Sequence, residues 1–134
     1  MKKYGYIYLG FDTCENFAKF GMTSVSPSSR ACKIRKEHEN FQMYGYVRIE
    51  EIPSHTLTLL ESFVRNSLLE NKKYGFEPIG QTHDYISTNK HLTREFQEEL
   101  FFELRNIVFG SLQLCGIPKE RYTLRRANRG WQKP

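Results

Sequence analysis

Hydrophobic and aromatic residues occur in short runs over the first fifty positions, and polar residues separate these runs. Runs rich in aromatic and β-branched residues are typical of strands. The pattern predicts three strands, which are Tyr4–Phe11, Phe17–Met22 and Phe41–Glu50. The polar stretch 12–16 predicts a turn, so the first two strands are expected to form a hairpin.

A helix is expected between the second and third strands, where Ser26 is followed by Pro27. A serine side chain can accept an unpaired N–H of the first helical turn. Proline suits the first helical position because the N–H that it lacks would be unpaired there anyway. The sequence therefore predicts a helix over Pro27–Glu37.

Two further helices are predicted by apolar residues spaced three and four positions apart. The first is expected to begin at a Ser54 cap and to bury a stripe of four residues, Leu57, Leu60, Val64 and Leu68. The second is expected to begin at a Thr93 cap and to end near 116–118. Its inward face would carry Phe96, Leu100, Leu104, Ile107 and Val108.

The segment between these helices is rich in glycine and proline, which predicts a loop over 71–82 and then a short strand at His83–Ser87. The order of elements indicates an α+β fold, with a small three-stranded, mainly antiparallel sheet flanked by helices. We expect a catalytic unit in residues 1–90, a helical extension in 91–118 packed on the same unit, and a basic tail in 119–134.

Charge is distributed unevenly along the chain. The formal net charge is +5, and the segment 119–134, with six basic residues and one acidic residue, accounts for all of it. This segment should therefore provide most of the long-range attraction to a polyanion. The three cysteines have no metal-ligand spacing, and no apolar run is long enough to span a membrane, so a cytoplasmic protein is expected.

Four polar side chains stand out once these elements are placed. Tyr8 lies on the first strand, Lys19 on the second, Arg30 one turn into the first helix, and Glu61 within the second helix. Each has an ordinary explanation when it is taken alone, because strand tyrosines usually pack and most arginines and carboxylates lie at the surface. Their joint arrangement is what indicates a site.

The sequence around these residues resembles the GIY-YIG nuclease superfamily, in particular its phage and viral branch. The tripeptides YIY at 6–8 and KFG at 19–21 are similar to the two halves of the motif, with ten residues between Tyr8 and Lys19. The segment GMTSVSPSSR, which ends at Arg30, is similar to the one that follows the second half in that branch. The chain departs from the motif by having tyrosine for the first glycine and lysine for the second tyrosine.

The resemblance covers about residues 4–87 and implies hydrolysis of phosphodiester bonds with Mg²⁺ or Mn²⁺ bound by Glu61. It implies catalytic roles for Tyr8, Lys19, Arg30 and Glu61. Arg30 would bind phosphate oxygens, since a guanidinium group stays charged and can donate two parallel hydrogen bonds. The Tyr8 hydroxyl would orient the attacking water or accept its proton, and Lys19 would assist through its charge.

The expected substrate is nucleic acid, with DNA favoured over RNA. The sequence does not decide between a monomer and a homodimer, because one small active site can cut both strands of a duplex either as a dimer or in two successive nicks. Two other interpretations remain: a catalytically inactive module of the same fold that binds nucleic acid or a host protein, and an unrelated α+β domain. Further nucleic-acid contacts are expected from Tyr6, Lys33, Arg125, Arg126 and Arg129.

Overall fold

The computed structural model describes residues 3–71, 73–74, 76–79, 85–88 and 91–127, and it describes side chains for all of these except 77–79 and 85–88. Six strands are present in this part of the chain: β1 (Tyr4–Asp12), β2 (Phe17–Thr23), β3 (Gln42–Glu50), β4 (Phe76–Ile79), β5 (Tyr85–Thr88) and β6 (Tyr122–Arg126). The helices are α1 (Pro27–Arg35), α2 (Ser54–Glu70) and α3 (Arg94–Leu114), with a 3-10 turn at Lys119–Arg121.

The strands form one sheet in the order β4-β5-β2-β1-β3-β6, and every neighbouring pair is antiparallel. The α+β class is therefore confirmed, whereas the prediction of three strands was wrong. β4 lies in the stretch 71–82, which was predicted as a loop because it is rich in glycine and proline. Pro78 would be unfavourable in a central strand, but β4 is an edge strand, where proline is tolerated. Residues 83 and 84 of the strand predicted at His83–Ser87 lie outside the described residues.

Helices cover both faces of the sheet. Successive side chains of a strand point to opposite faces, and β1 shows this clearly. Its Ile7, Leu9 and Phe11 join the large core formed with α2 and α3. Tyr8 belongs to a smaller cluster on the other side, which includes Ala31 of α1. We call these two sides the α2–α3 face and the α1 face. None of the helices in the described part of the chain is long and apolar enough to cross a bilayer.

The predicted helix starts were mostly correct. The Ser26 side chain accepts a hydrogen bond from the N–H of Ser29, and the Thr93 side chain accepts one from Phe96. Ser54 was wrongly predicted as a cap, because it is the first helical residue of α2 and Pro53 occupies the cap position without a side-chain hydrogen bond. The start of α2 is thus set by its buried stripe of leucine and valine residues rather than by a capping side chain.

The segment 119–134 was predicted to be a basic tail, and for its first eight residues this prediction was wrong. β6 pairs with β3 over five residues and closes one edge of the sheet. Tyr122 is buried and meets the ring of Phe109 edge-on, with the centroids 4.8 Å apart. Arg121 donates from Nη2 to the backbone carbonyl of Glu50 at 2.8 Å. The abundance of arginines hid an alternating strand pattern in which Tyr122 and Leu124 face the core.

Replacing Tyr122 with alanine tests whether this segment is a strand or a tail. Loss of a buried aromatic side chain should lower the free energy of unfolding by about 3 kcal/mol. Thr123→Ala is the matched control, because Thr123 is an exposed neighbour on the same strand. Urea titrations of both variants measure the difference, and equal stability of the two would mean that the segment is not part of the folded sheet.

Candidate active site

Tyr8 lies at the centre of the sheet on the α1 face. It pairs across β1 and β2 with Gly21, and across β1 and β3 with Tyr46. Its side chain is only 1% exposed. Arg30, which is partly buried in the first turn of α1, donates from Nε to the Tyr8 hydroxyl at 3.4 Å, a long hydrogen bond. The structure therefore brings together two of the residues singled out from the sequence.

Gly21 makes room for the Tyr8 ring. A Cβ atom at this position would lie 2.7 Å from the Tyr8 hydroxyl oxygen and 3.0 Å from its Cζ. Real Cβ contacts essentially never come closer than 3.0 Å, so any other residue at position 21 would displace the tyrosine. The glycine of the second tripeptide is thus required by the position of the Tyr8 hydroxyl.

Glu61 reaches the sheet from α2. Its Oε2 accepts a hydrogen bond from the backbone N–H of Met22 at 3.0 Å, and its Oε1 accepts one from Nη2 of Arg65 at 2.5 Å. The Glu61 side chain is 17% exposed, so the carboxylate lies near the surface and is not sealed in the core. The contact with Met22 spans 39 positions in the sequence.

The two halves of the site meet at consecutive residues of β2. The Tyr8 hydroxyl lies against Gly21, and the Glu61 carboxylate is anchored on Met22. Arg30 contacts the Tyr8 hydroxyl from the α1 side, whereas Glu61 arrives from α2. A phenol, a guanidinium group and a carboxylate are therefore gathered around two residues of one strand, although they come from both helical layers.

Lys19 lies two residues before Gly21 and therefore faces the same side of the sheet as Gly21. Its neighbours across the sheet are Gly10 on β1 and Tyr85 on β5. The side chain is 3% exposed, which is rare for lysine. Burying an ammonium group costs free energy unless the group is paired. The burial of Lys19 on this side is therefore typical of a lysine with a specific role and not of a surface lysine that only aids solubility.

A groove with aromatic and basic walls lies on the α1 face between α1, β3 and β6. Tyr6, Tyr46, Arg35 and Arg48 are among its lining residues. Tyr6 meets Tyr46 edge-on with a centroid distance of 5.6 Å, and the Arg48 guanidinium lies 4.8 Å from the ring centroid of Tyr4. Tyr46 is also the β3 partner of Tyr8, so the groove leads to the catalytic candidates.

The other residues predicted to contact nucleic acid lie on different elements of the fold. Lys33 is exposed on α1, three residues after Arg30, and Arg125 is exposed on β6 opposite Tyr46. Arg126 contributes to the groove, but it also pairs with Glu98 of α3 and donates from Nη1 to the Tyr44 hydroxyl at 3.3 Å. Arg129 lies outside the described residues.

Arg126 of β6, Glu98 of α3 and Tyr44 of β3 contact one another, and these contacts shift the pKa values of all three groups. The hydrogen bond from Arg126 lowers the pKa of Glu98, and the bond to Glu98 raises the pKa of Arg126. Burial, followed by the hydrogen bond to Glu98, raises the pKa of Tyr44. Arg126 therefore has a role in holding the edge strand, whatever it contributes to the groove.

Glu61 is the residue of this site that could hold a metal ion. Each of its carboxylate oxygens accepts one N–H and so keeps a further lone pair. Among the described residues, it has no second and third His, Cys, Asp or Glu close enough to form a multidentate cluster. One carboxylate fits Mg²⁺, which keeps several waters and binds through one or two carboxylates and substrate phosphates. Arg65 would have to share or release the carboxylate.

No family model, curated protein or solved structure matches this chain. The case for the site therefore depends on its own residues and their geometry.

Two contributors to the site were missed from the sequence. Arg65 follows Glu61 by four positions, and this spacing on a helix brings opposite charges together, so the sequence contained a usable signal. Met22 contributes only its backbone N–H, a group that every residue except proline has, so the sequence contains no signal for this contact. The anchoring of Glu61 on β2 could thus be found only from the fold.

Gly21→Ala tests the close packing against Tyr8. The added methyl group should cost about 1–3 kcal/mol of unfolding free energy, as overpacked sites do. Combining it with Tyr8→Phe removes the nearest atom, so the double variant should be less destabilised than the sum of the two single variants. Chemical denaturation of all four proteins gives this coupling. Additive losses would show that Gly21 and the Tyr8 hydroxyl do not touch.

Proposed function

We propose that the protein is a metal-dependent endonuclease of the GIY-YIG type that hydrolyses phosphodiester bonds, with DNA as the favoured substrate. The observation that carries the proposal is the meeting of Tyr8, Arg30 and Glu61 around Gly21 and Met22. These residue types supply what the reaction needs: a group to move a proton, a fixed positive charge for the phosphate, and a carboxylate ligand for a metal ion.

Arg30 is proposed to bind a non-bridging oxygen of the scissile phosphate. Because Tyr8 is buried, substrate binding must first draw Arg30 away from the Tyr8 hydroxyl before that hydroxyl can meet a water molecule. Tyr8 would then orient the water or accept its proton, and the ammonium group of Lys19 would favour the phenolate through its charge. A Mg²⁺ or Mn²⁺ ion held by Glu61 would supply additional positive charge at the phosphate.

The groove on the α1 face is proposed as the path of the nucleic acid beside the site. Its arginines can contact phosphates, and its partly exposed tyrosines offer surfaces for sugars or bases. Lys33 and Arg125 add exposed positive charge on the same side of the sheet. The preference for DNA over RNA comes from the resemblance to the nuclease family.

The second candidate is an inactive module of the same fold that binds nucleic acid or a host protein. The contact that favours it is the ion pair between Arg65 and Glu61, which occupies one oxygen of the proposed metal ligand. Metal dependence separates the two candidates, because an inactive binder would retain nucleic acid in a gel shift without Mg²⁺ and would yield no product with it.

Glu61→Gln tests the nuclease proposal in a cleavage assay on plasmid and short duplexes with Mg²⁺. Loss of the metal ligand should reduce the cleavage rate at least about a hundredfold, as expected when a main source of transition-state charge stabilisation is removed. Glu70→Gln on the same helix is the matched control and should retain full activity, since Glu70 is exposed. Equal cleavage by Glu61→Gln and the native protein would refute the role of Glu61, and no cleavage by the native protein would favour the binding module.

Arg48→Gln tests the groove. It should weaken DNA binding and reduce the slope of log affinity against log salt concentration by about 1, because one phosphate contact is lost. Arg105→Gln is a matched control, since Arg105 also lies over an aromatic ring but belongs to α3 on the opposite side of the sheet. Fluorescence anisotropy at several salt concentrations measures both slopes, and an unchanged slope for Arg48→Gln would place the nucleic acid elsewhere.

A further inference from the structure

We propose a second metal site, formed by Asp12, Glu15 and His38, that takes a transition-metal ion such as Zn²⁺ or Co²⁺. It joins the turn between β1 and β2 to the loop that follows α1. One carboxylate oxygen from each acid and one ring nitrogen of His38 lie within 4.8 Å of one another. None of these residues belongs to the proposed active site, so the inference is independent of the nuclease proposal.

Asp12 supplies the observation that points to a ligand. The residue is fully buried, with 0% exposure. Its Oδ1 accepts hydrogen bonds from the N–H groups of Cys14 at 2.9 Å and Glu15 at 2.8 Å. Its Oδ2 is also buried and has no hydrogen-bond partner among the residues that the structure describes. A buried carboxylate oxygen left without a partner costs free energy, and a bound cation would remove that cost.

His38 is held in position for a ligand role. Its backbone N–H donates to the carbonyl of Ile34 at 2.9 Å, and its carbonyl accepts from the N–H of Phe41 at 2.9 Å. Its ring meets Phe17 edge-on with a centroid distance of 4.8 Å. Nδ1 lies 2.7 Å from Oε2 of Glu15. Backbone and ring contacts therefore fix the imidazole beside the carboxylates.

Glu15 is the proposed ligand whose side chain has the most room to move. Its side chain is 55% exposed, whereas that of His38 is 25% exposed. Ligands about 2.0–2.1 Å from a tetrahedral ion lie about 3.3 Å apart, so the His38–Glu15 pair, at 2.7 Å, must open slightly. Rotation of the exposed Glu15 side chain can accomplish this. Solvent beside Glu15 leaves room for a water molecule as a fourth ligand.

The donor set decides the class of ion. Imidazole nitrogen suits zinc, cobalt and related transition metals, whereas Ca²⁺ and Mg²⁺ prefer an all-oxygen shell. Two carboxylates would neutralise the charge of a divalent ion. The bound ion would tie the hairpin to the end of α1, the helix that carries Arg30, and so should raise the thermal stability of this half of the fold.

The test is titration of the native protein with Zn²⁺ by calorimetry and with Co²⁺ by visible absorption. We expect one ion per chain, a rise in Tm with Zn²⁺, and at least an approximately tenfold loss of affinity in both His38→Ala and Glu15→Gln. Two control variants should bind as the native protein does: Glu39→Gln, an exposed acid beside His38, and His55→Ala, an exposed histidine on α2.

Cys14→Ser distinguishes this site from simple capture of the metal by a thiol, because Cys14 is exposed and lies next to Glu15 in sequence. The proposal is overturned if the native protein binds neither ion, or if His38→Ala and Glu15→Gln bind as tightly as the native protein. It is also overturned if Cys14→Ser alone abolishes binding. Thermal unfolding of each variant without metal shows that the fold is intact, and Glu15→Gln, an exposed conservative change, should keep it.

Discussion

The antiparallel register of β1 and β2 fixes both the packing of the large core and the geometry of the candidate site. It places Tyr8 opposite Gly21, the one residue type that leaves space for the phenol. Because strand side chains alternate, the same register sends Ile7 and Leu9 into the large core beneath α2 and α3. A slip by one position would exchange the two sets of side chains between the faces, taking Ile7 and Leu9 out of the large core and Tyr8 away from Arg30. Packing and site geometry therefore select the same pairing.

The residues of the candidate site come from both helical layers and not from one alone. β5 pairs with β2 over Phe17–Lys19, and beyond that stretch the N–H of Met22 is accepted by Glu61 from α2. A helix on one face thereby places a carboxylate on β2, the neighbour of β1, whose Tyr8 meets Arg30 of α1 on the other face. The large core bears on the candidate site, because the packing of Leu57, Leu60 and Val64 sets the position of Glu61.

Local chemistry made much of this molecule predictable from its sequence. Ser26-Pro27 and Thr93 marked helix starts because their side chains act on neighbouring backbone groups. The edge strands β4 and β6 were missed because pairing in the sheet outweighs local composition. β4 pairs with β5 despite Pro78, and β6 pairs with β3, which lies far earlier in the chain, despite two arginines. The four catalytic candidates came from a motif, whereas the meeting of Tyr8, Arg30 and Glu61 around Gly21 and Met22 depends on contacts between distant elements.

We propose that Glu61, Arg30 and Tyr8 form one metal-dependent site. The most direct measurement is a crystal structure with Mn²⁺ and a short DNA duplex, using the anomalous signal of manganese to locate the ion. We expect a manganese peak at the Glu61 carboxylate, with Arg65 displaced from one oxygen and a DNA phosphate against Arg30. DNA bound elsewhere on the molecule, together with no manganese at Glu61, would contradict it.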